Sequence, residues 1–591
     1  MPSCPYNFVP LNDRIVPSEL KESDLSSAAL FKSYDKDKLS GRIDLTITCL
    51  SDTFIRGVGS DFLKINGKPI LPGSSIRGMI RNIVSILSWS RIDTKEIKLF
   101  YRNVYGTHQD VQLYQRQFMT KSGGNISYKV QAGYLEAHNK GYKIVKAKVI
   151  NDRTFHRFNR FSPSRLNEFD LDINDEHLIL FFDPKPANII LDKRKGRFNL
   201  ILNIAKNVSD TSIAGYEEGL MVSGGNMINP NGTQMRHYNY LVHKKLISNT
   251  QSNCIEVSQP VIESYEDDIS RNIKGAYDPL IRARNNKKAP CFYLLDDNGK
   301  IKAFGHTPFF WLASYNNTVD GIPYWNETSE YLDFRTAIFG NSAGTSSPIS
   351  GRLDFTDGIL EKGQIKNEQT LLPLQSPKAT AYKHYLSQPD FPENFITWNN
   401  NINQIKIRGH KLYWNHVKSE PYVDLNLPED QRPKKELLAE PVNPAEKGTV
   451  FLSQIFFTNL SKVELGLLQM AIELEANAVH RIGIGKPYGM GKLKITPAYF
   501  LKSHETSWSK IITKEGLAKI WEADAINYKE DFREYMINQF FERKADNWNS
   551  TLNSLWAILD NSGRSPATVQ YMTHKQHGTN YVLETPHKIP Q

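Results

Sequence analysis

The sequence lacks the signatures of many familiar protein classes. Its 591 residues include only four cysteines, at positions 4, 49, 254 and 291, and no two of them form a CxxC pair. This spacing argues against a zinc ribbon and a disulfide framework, and it fits a reducing compartment. No apolar run approaches the length of a membrane span, and the first residues show no charged-then-apolar signal pattern. We therefore expect a cytoplasmic protein without a membrane partner.

Nucleotide-binding fingerprints are missing as well. A Walker loop requires GxxxxGK[ST], but the residue five before Gly491 is Lys486, and no serine or threonine follows Lys492. A dinucleotide fingerprint requires GxGxxG, and counting from Gly483 the third glycine position is occupied by Tyr488. We therefore expect no tightly bound nucleotide cofactor.

Acidic residues are fewer than basic ones. The chain has 63 Asp and Glu against 73 Lys and Arg, a formal charge of +10 and a pI near 9.0. Such a balance favours an anionic partner, either nucleic acid or an anionic surface. Because the excess is spread over a long chain, it indicates a partner class only together with local motifs.

The first such motif is LPGSSIRGMIR, which begins at Leu71. Ser74 or Ser75 is a natural N-cap, and the apolar residues that follow recur at helical spacing over roughly 75–89. The free amides of a helix start attract anions, and Arg77 and Arg81 lie one turn apart on the polar face. The motif thus predicts a phosphate site. An ordinary capped helix with solvated arginines is the alternative.

The second motif is RIGIGKPYGMGKLKI, which begins at Arg481. Glycines let a backbone approach a ligand closely and present its N–H groups to phosphate. Here they alternate with basic residues, and the residues that we expect to contact an anion are Gly483, Gly485, Lys486, Gly489, Gly491 and Lys492. We predict that both motifs line one cleft and bind the same sugar–phosphate chain.

These two motifs resemble those of the RAMP superfamily of CRISPR-associated proteins. Further segments resemble its large single-chain branch: GLMVSGGNM from 219, LLPLQSPKATAYKHYL from 371, RGHKLYW from 408 and FTNLSKVELGLLQMAI from 457. The resemblance implies an α+β, ferredoxin-like (RNA-recognition-type) core that binds CRISPR RNA within a type III effector complex. A family-like segment from Asp333 adds Arg352 to the expected RNA-binding residues.

The same comparison divides the chain into five regions. We expect an N-terminal arm over 1–40, the first half of the core over 41–91, a large inserted α+β region over 92–330, the second half of the core with the glycine-rich loop over 331–500, and a helical extension over 501–591. Local signals agree with a core of this kind. A half-buried strand begins near Arg42, Asn66-Gly67 indicates a hairpin, and Ser461 with Glu464 forms a capping box.

The resemblance also raises the question of catalysis. In RAMP subunits that cut target RNA, an aspartate between the first strand and the PGSS turn is catalytic with a divalent cation, which here favours Asp61 over Asp52. One carboxylate does not hold Mg²⁺ firmly, so Mg²⁺ or Mn²⁺ would bind only together with RNA, and no preformed metal site is expected.

Three hypotheses on function stay open at this point. The protein is a backbone subunit that binds CRISPR RNA and other effector subunits and cuts target RNA, a purely architectural subunit, or a stand-alone or processing metal-dependent endoribonuclease.

Overall fold

The structure of the protein is a computed structural model. It describes every residue except 1–3, 22, 24–36, 93, 103–108, 123–124, 139–140, 159–178, 185–198, 201–203, 206, 224–225, 229–233, 237–238, 248–250, 269–277, 342–347, 373, 375–379, 390–394, 416–420, 424–440, 503–511, 514–515, 518–520, 525, 540–544 and 563–591. The chain forms two compact units, one of Met1–Glu96 with Val319–Gln591 and one of Ile97–Thr318. The second unit lies within the region 92–330 that the sequence suggests as an insertion.

The first unit is built on an antiparallel sheet. Its strands, in spatial order, are His480–Arg481, Lys492–Lys502, Leu39–Cys49, Val450–Leu460, Gly358–Lys362, Lys68–Leu71 and Lys64–Ile65, and Leu353–Phe355 and Trp521–Asp524 also pair with it. Four adjacent strands form the centre of this sheet: Lys492–Lys502, Leu39–Cys49, Val450–Leu460 and Gly358–Lys362. Numbered along the chain, they are the fourth, first, third and second strands, which is the spatial order of a ferredoxin-like fold. One helix follows the first strand and another follows the third. The predicted α+β, ferredoxin-like core is confirmed.

Two helices cover one face of this sheet. Gly73–Leu87, which we call the anchor helix, contributes Ile76, Ile80 and Val84 to the main hydrophobic core. Lys462–Glu473, the second core helix, adds Leu465 and Leu468 to the same core. The strands alternate buried and more exposed residues, as a sheet covered on one face requires.

Short-range sequence signals predict the local structure of this core well. Asn66 and Gly67 both have positive φ and join two strands, as the hairpin prediction requires. Ser461 and Glu464 form the capping box of the second core helix. The anchor helix begins two residues earlier than predicted, because its N-cap is Pro72.

The described parts of the N-terminal forty residues pair within the chain. Tyr6–Pro10 forms a two-stranded sheet with Gly409–Tyr413, and Pro17–Lys21 forms another with Tyr331–Asp333. The remaining elements of the first unit are the strands Gln369–Thr370, Pro441–Val442, Ile512–Thr513 and Gly516–Leu517, the helices Phe334–Phe339, Tyr382–Tyr385, Lys529–Asn538 and Ala545–Leu559, and the 3₁₀ turns Ile402–Gln404 and Lys486–Tyr488.

The C-terminal region contains strands that its sequence prediction lacks. The sequence predicts a helical extension, but Ile512–Thr513 pairs with Gly516–Leu517, and Trp521–Asp524 is a strand that pairs with Lys492–Lys502. The two helices that follow pack into the main core through Phe532, Trp548 and other apolar residues. They are therefore part of the first unit.

The second unit contains two larger sheets. One has the order Cys254–Val257, Gly141–Lys146, Gln131–His138, Pro290–Leu295 and Ile301–Gly305, and the other has the order Ile204–Ala205, Phe155–Phe158, Asn239–His243, Glu217–Ser223, Ile179–Phe182 and Val208–Ser209. Smaller sheets consist of Asn199–Leu200, Asn125–Tyr128 and Met119–Ser122, of Asn226–Ile228 and Gln234–Arg236, and of Leu312–Asn317 and Lys98–Tyr101. Its helical segments are Gln109–Phe118, Gln259–Asp267, Pro279–Arg284 and the 3₁₀ turn Gln251–Asn253.

Candidate nucleic-acid interface

The start of the anchor helix is occupied by a protein carboxylate. The Gly73 N–H donates to Asp357 Oδ1 at 2.8 Å, and no side chain caps the helix at Pro72. Only glycine fits at position 73, because an added Cβ would lie 2.5 Å from the Phe355 carbonyl oxygen. The prediction that Ser74 or Ser75 is the N-cap is therefore wrong, and the first anion at this helix end is Asp357.

The glycine-rich loop, residues 481–492, has a backbone that only glycine accommodates. Gly483, Gly485, Gly489 and Gly491 all have φ between +76° and +87°. At Gly491 an added Cβ would lie 1.9 Å from the Ile482 carbonyl oxygen. Three of these glycines, Gly485, Gly489 and Gly491, do not line the cleft described below but give the loop its shape.

Most backbone N–H groups of this loop already donate to acceptors within the protein. Ile484 N–H donates to the Phe54 carbonyl at 3.0 Å and Gly491 N–H to the Asp52 carbonyl at 2.8 Å. Within the described part of the chain, the N–H groups of Gly483, Gly485 and Lys486 have no hydrogen-bond acceptor. Of these, the amides of Gly483 and Lys486 belong to residues that line the cleft described below and remain available to an anion.

The anchor helix and the glycine-rich loop line one cleft of about 370 Å³. Its lining residues are Ile55, Ser75, Gly78, Met79, Asn82, Ile83, Lys411, Leu412, Tyr413, His480, Arg481, Ile482, Gly483, Lys486 and Leu559. Two sequence segments about four hundred residues apart thus meet, as predicted. The structure brings Ser75, Gly483 and Lys486 of the predicted residues to the cleft itself.

The cleft is cationic, and its lining within the described part of the chain contains no aspartate or glutamate. Arg481 is 9% exposed, and its Nε and Nη1 have no hydrogen-bond partner among the described residues, whereas Nη2 donates to the Lys486 carbonyl oxygen. Burial lowers the pKa of Arg481 to about 9. Burial, and to a lesser extent the charge of Arg481, also lowers the pKa of Lys486. Charges held this way, without a counter-charge, are stabilised when an anion enters.

A third cation, Lys411, lies among aromatic rings. Its Nζ is 3.8 Å from the centre of the Tyr6 ring and donates to Tyr385 Oη at 2.9 Å. Burial lowers the pKa of Lys411 to about 8. Sequence reasoning singled out the segment RGHKLYW only as family-like. Its role was missed because the strand that carries Lys411 reaches the cleft through pairing with Tyr6–Pro10, which no local pattern indicates.

Arg77 and Arg81 do not line the cleft. Arg77 Nη2 donates to the Phe339 carbonyl oxygen, and the guanidinium lies 5.4 Å from the centre of the Phe339 ring. Burial and the neighbouring Arg81 lower the pKa of Arg77. Arg77 and Arg81 are absent from the cleft because of their position on the helix. Ser75, Gly78 and Asn82 occupy the helix face toward the cleft.

Two other predicted residues contribute differently from expectation. Lys492 Nζ lies 3.3 Å from Asn561 Oδ1 outside the cleft lining, and burial and the charge of Arg481 lower its pKa to about 8. Arg352 is buried and donates to the Ala337 and Asn459 carbonyl oxygens and to both carboxylate oxygens of Glu464. Its donors are used inside the core, so the prediction that it contacts RNA is corrected.

The candidate aspartates also differ in their surroundings. Asp52 Oδ2 accepts hydrogen bonds from Lys366 Nζ at 2.9 Å and Tyr422 Oη at 2.6 Å, which gives it a structural role. The Asp61 side chain is 60% exposed and its Oδ2 lies 3.8 Å from Lys64 Nζ. Among the described residues, no group of three His, Cys, Asp or Glu side chains could hold a metal ion. Asp61 by itself is not a metal site.

Comparison with known proteins adds one match. The family model of the RAMP superfamily matches residues 46–227, which is less than a third of the chain. No curated protein matches the sequence. No helix in the described ranges is long and apolar enough to cross a membrane. Over this segment the chain is therefore similar to the RAMP superfamily.

Proposed function

We propose that the cleft binds the phosphates of a guide RNA and that the protein is a backbone-type subunit of a type III CRISPR effector complex. The observation that carries this proposal is the composition of the cleft. Lys411, Arg481 and Lys486 line it, burial lowers the pKa of all three, and no acidic residue lies among the lining residues.

A polyanion supplies what this arrangement lacks. Phosphate oxygens can accept hydrogen bonds from the Lys486 ammonium and from the free N–H groups of Gly483 and Lys486. The field of the buried Arg481 charge favours the same anion. Contacts of this kind fix the register of an RNA without reading its sequence, which suits a protein that carries guides of arbitrary sequence.

The proposal is tested by removing one cleft charge beside a matched control. Lys486→Gln removes a lysine that lines the cleft, and Lys494→Gln removes an exposed lysine from the following strand. We expect Lys486→Gln to weaken binding of single-stranded RNA of any sequence and to reduce the slope of log K against log salt by about 0.7. Equal effects of the two substitutions, or none, would overturn the proposal.

Target cleavage is a separate part of the proposal and depends on Asp61. Its exposure leaves the carboxylate accessible to an RNA lying across the loop 57–61, whose shape is held by the Gly57 N–H bond to the Asp61 carbonyl at 2.9 Å. Among the described residues, Asp61 belongs to no group of three His, Cys, Asp or Glu side chains that could hold a metal ion, so Mg²⁺ or Mn²⁺ would have to bind together with RNA. CRISPR RNA, target RNA and neighbouring effector subunits are the partners that this proposal requires.

A further inference from the structure

Gly78 has no structural reason to be glycine. It lies in the middle of the anchor helix and lines the cleft, and an added Cβ there would meet no described atom of the chain within 4 Å. A glycine inside a helix costs about 1 kcal/mol relative to alanine. Gly73 in the same helix is different, because an added Cβ would collide with Phe355. Among the described residues, the space above Gly78 is therefore open and has room for a ligand.

The residues around this space have two kinds of chemistry. Met79, Ile83 and Leu412 give one part of the cleft an apolar lining, and Lys411, Arg481 and Lys486 give another part its charge. A ligand that matches both has a flat apolar portion joined to an anion. The volume of about 370 Å³ suits one small ligand and is at the lower end of the range for small-molecule sites.

Asn82 adds a polar group at the edge of the space. It lies one helical turn after Gly78, is exposed and lines the cleft, and its side chain has no hydrogen-bond partner in the described chain. A side-chain amide carries a donor and an acceptor side by side, as the edges of nucleobases do. Because the amide can rotate, it can pair with more than one base.

We propose that one nucleotide of the bound RNA turns its base into this cleft. The base lies over the helix backbone at Gly78 with its edge at Asn82, and its phosphate lies toward Gly483 and Lys486. Arg481, which is nine-tenths buried and has two unpartnered nitrogens, supplies the charge behind the phosphate. The subsite requires a base without requiring a particular one. This inference rests on the proposed RNA-binding function.

The test compares nucleotides with the same phosphate lacking a base. Titration calorimetry on the full chain measures the binding of adenosine 5′-monophosphate, uridine 5′-monophosphate and ribose 5-phosphate. Stacking and edge contacts to a base strengthen binding, so we expect both nucleotides to bind about tenfold more tightly than ribose 5-phosphate. Equal affinities for all three ligands, or no binding of the nucleotides, would overturn the subsite.

Substitutions at Gly78 and Asn82 test whether the stronger binding of nucleotides arises in this cleft. Gly78→Ala fills the space and should abolish the advantage of the nucleotides, although it should raise the unfolding temperature because alanine favours a helix. Asn82→Ala should reduce the advantage, whereas Asn403→Ala, at an exposed asparagine outside the cleft, should not. A nucleotide advantage that survives Gly78→Ala overturns the inference.

Failure of this subsite and failure of the proposed function give different results. If RNA binding depends on Lys486 but the three small ligands bind alike, the phosphate site stands and the base subsite is wrong. If RNA binding does not depend on Lys486, the proposed function itself is wrong.

Discussion

Arg352 and Glu464 form a buried ion pair in which Nη1 and Nη2 of the guanidinium face the two carboxylate oxygens. Arg352 Nη1 lies 2.9 Å from Glu464 Oε2, and the two side chains are 1% and 2% exposed. The same oxygen of Glu464 accepts the Ser461 N–H at 2.9 Å as part of the capping box. The pair therefore links the start of the strand Leu353–Phe355 to the first turn of the second core helix.

Breaking this pair should destabilise the first unit strongly. Glu464→Gln leaves a buried arginine without its counter-charge, and we expect a loss of about 3–5 kcal/mol in the free energy of unfolding. Denaturant unfolding followed by tryptophan fluorescence measures this loss. The double variant Arg352→Met/Glu464→Leu, which removes both charges, should be more stable than Glu464→Gln. If the single variant unfolds like the wild type, the pair is not formed as described.

Two glycine substitutions should distinguish the cost of a positive φ alone from the cost of distorting the glycine-rich loop. At Gly491, with φ +78°, an added Cβ collides with Ile482, whereas at Gly448, with φ +91°, it meets nothing within 4 Å. We expect Gly448→Ala to cost about 1–2 kcal/mol of stability and to leave RNA affinity unchanged. Gly491→Ala should cost more and also weaken RNA binding, because the loop backbone must move. Equal losses of stability would contradict the loop geometry.

RNA affinity should depend on pH through Lys411. Its pKa is lowered to about 8, so the amine is charged below pH 8 and loses its proton above it. RNA binds the charged form, so affinity should fall as pH rises through about 8. In the absence of RNA, the folding stability depends on pH with the opposite sign. The unfolded lysine keeps its proton up to its ordinary pKa of 10.5, so this group's contribution to folding stability rises between pH 8 and 10.5.

Anisotropy titrations of a labelled single-stranded RNA between pH 6.5 and 9.5 at constant ionic strength measure this dependence. Lys411→Arg keeps its charge throughout that range and should give a shallower decline than the wild type. Arg481, whose pKa is lowered to about 9, and Lys486, whose pKa burial also lowers, line the same cleft and account for the remaining decline. Identical pH profiles for the two proteins would contradict a role of Lys411 in binding.

Asp61→Asn should distinguish the three functional hypotheses. The side chain is 60% exposed, so the substitution should change neither stability nor RNA affinity by a measurable amount. In a complex assembled with guide RNA and partner subunits, loss of one cut in complementary RNA supports the cutting subunit. An unchanged pattern supports the architectural role. Cleavage by the isolated chain that Asp61→Asn abolishes supports a stand-alone nuclease.

Local patterns predicted the core because they encode local structure. The hairpin at Asn66-Gly67, the capping box at Ser461 and the periodicity of the anchor helix each depend on residues a few positions apart. Together with the resemblance to the RAMP superfamily, these signals predicted a ferredoxin-like fold. The position of the glycine-rich loop beside the anchor helix followed from that fold.

Several of the errors involve partners distant in sequence. Asp357 occupies the N-terminus of a helix 284 residues earlier, and Arg352 pairs with a carboxylate 112 residues later. The segment Trp521–Asp524 has helical propensity but gains a strand partner, so tertiary pairing outweighs propensity. Lys411 likewise lies at the cleft because its strand pairs with Tyr6–Pro10, which is distant in sequence. The sequence motifs predicted two of the segments that line the cleft, the anchor helix and the glycine-rich loop, but not the strand that carries Lys411.

The most direct test of the central claim is to locate bound RNA on the protein. Photocrosslinking of the full chain to single-stranded RNA containing 4-thiouridine, followed by mass spectrometry, identifies the attached residues. We expect crosslinks in the segments 75–83, 411–413 and 480–486 that line the cleft, with Tyr413 and Met79 among the attachment points. Crosslinks confined to other surfaces, with none in these three segments, would contradict the account.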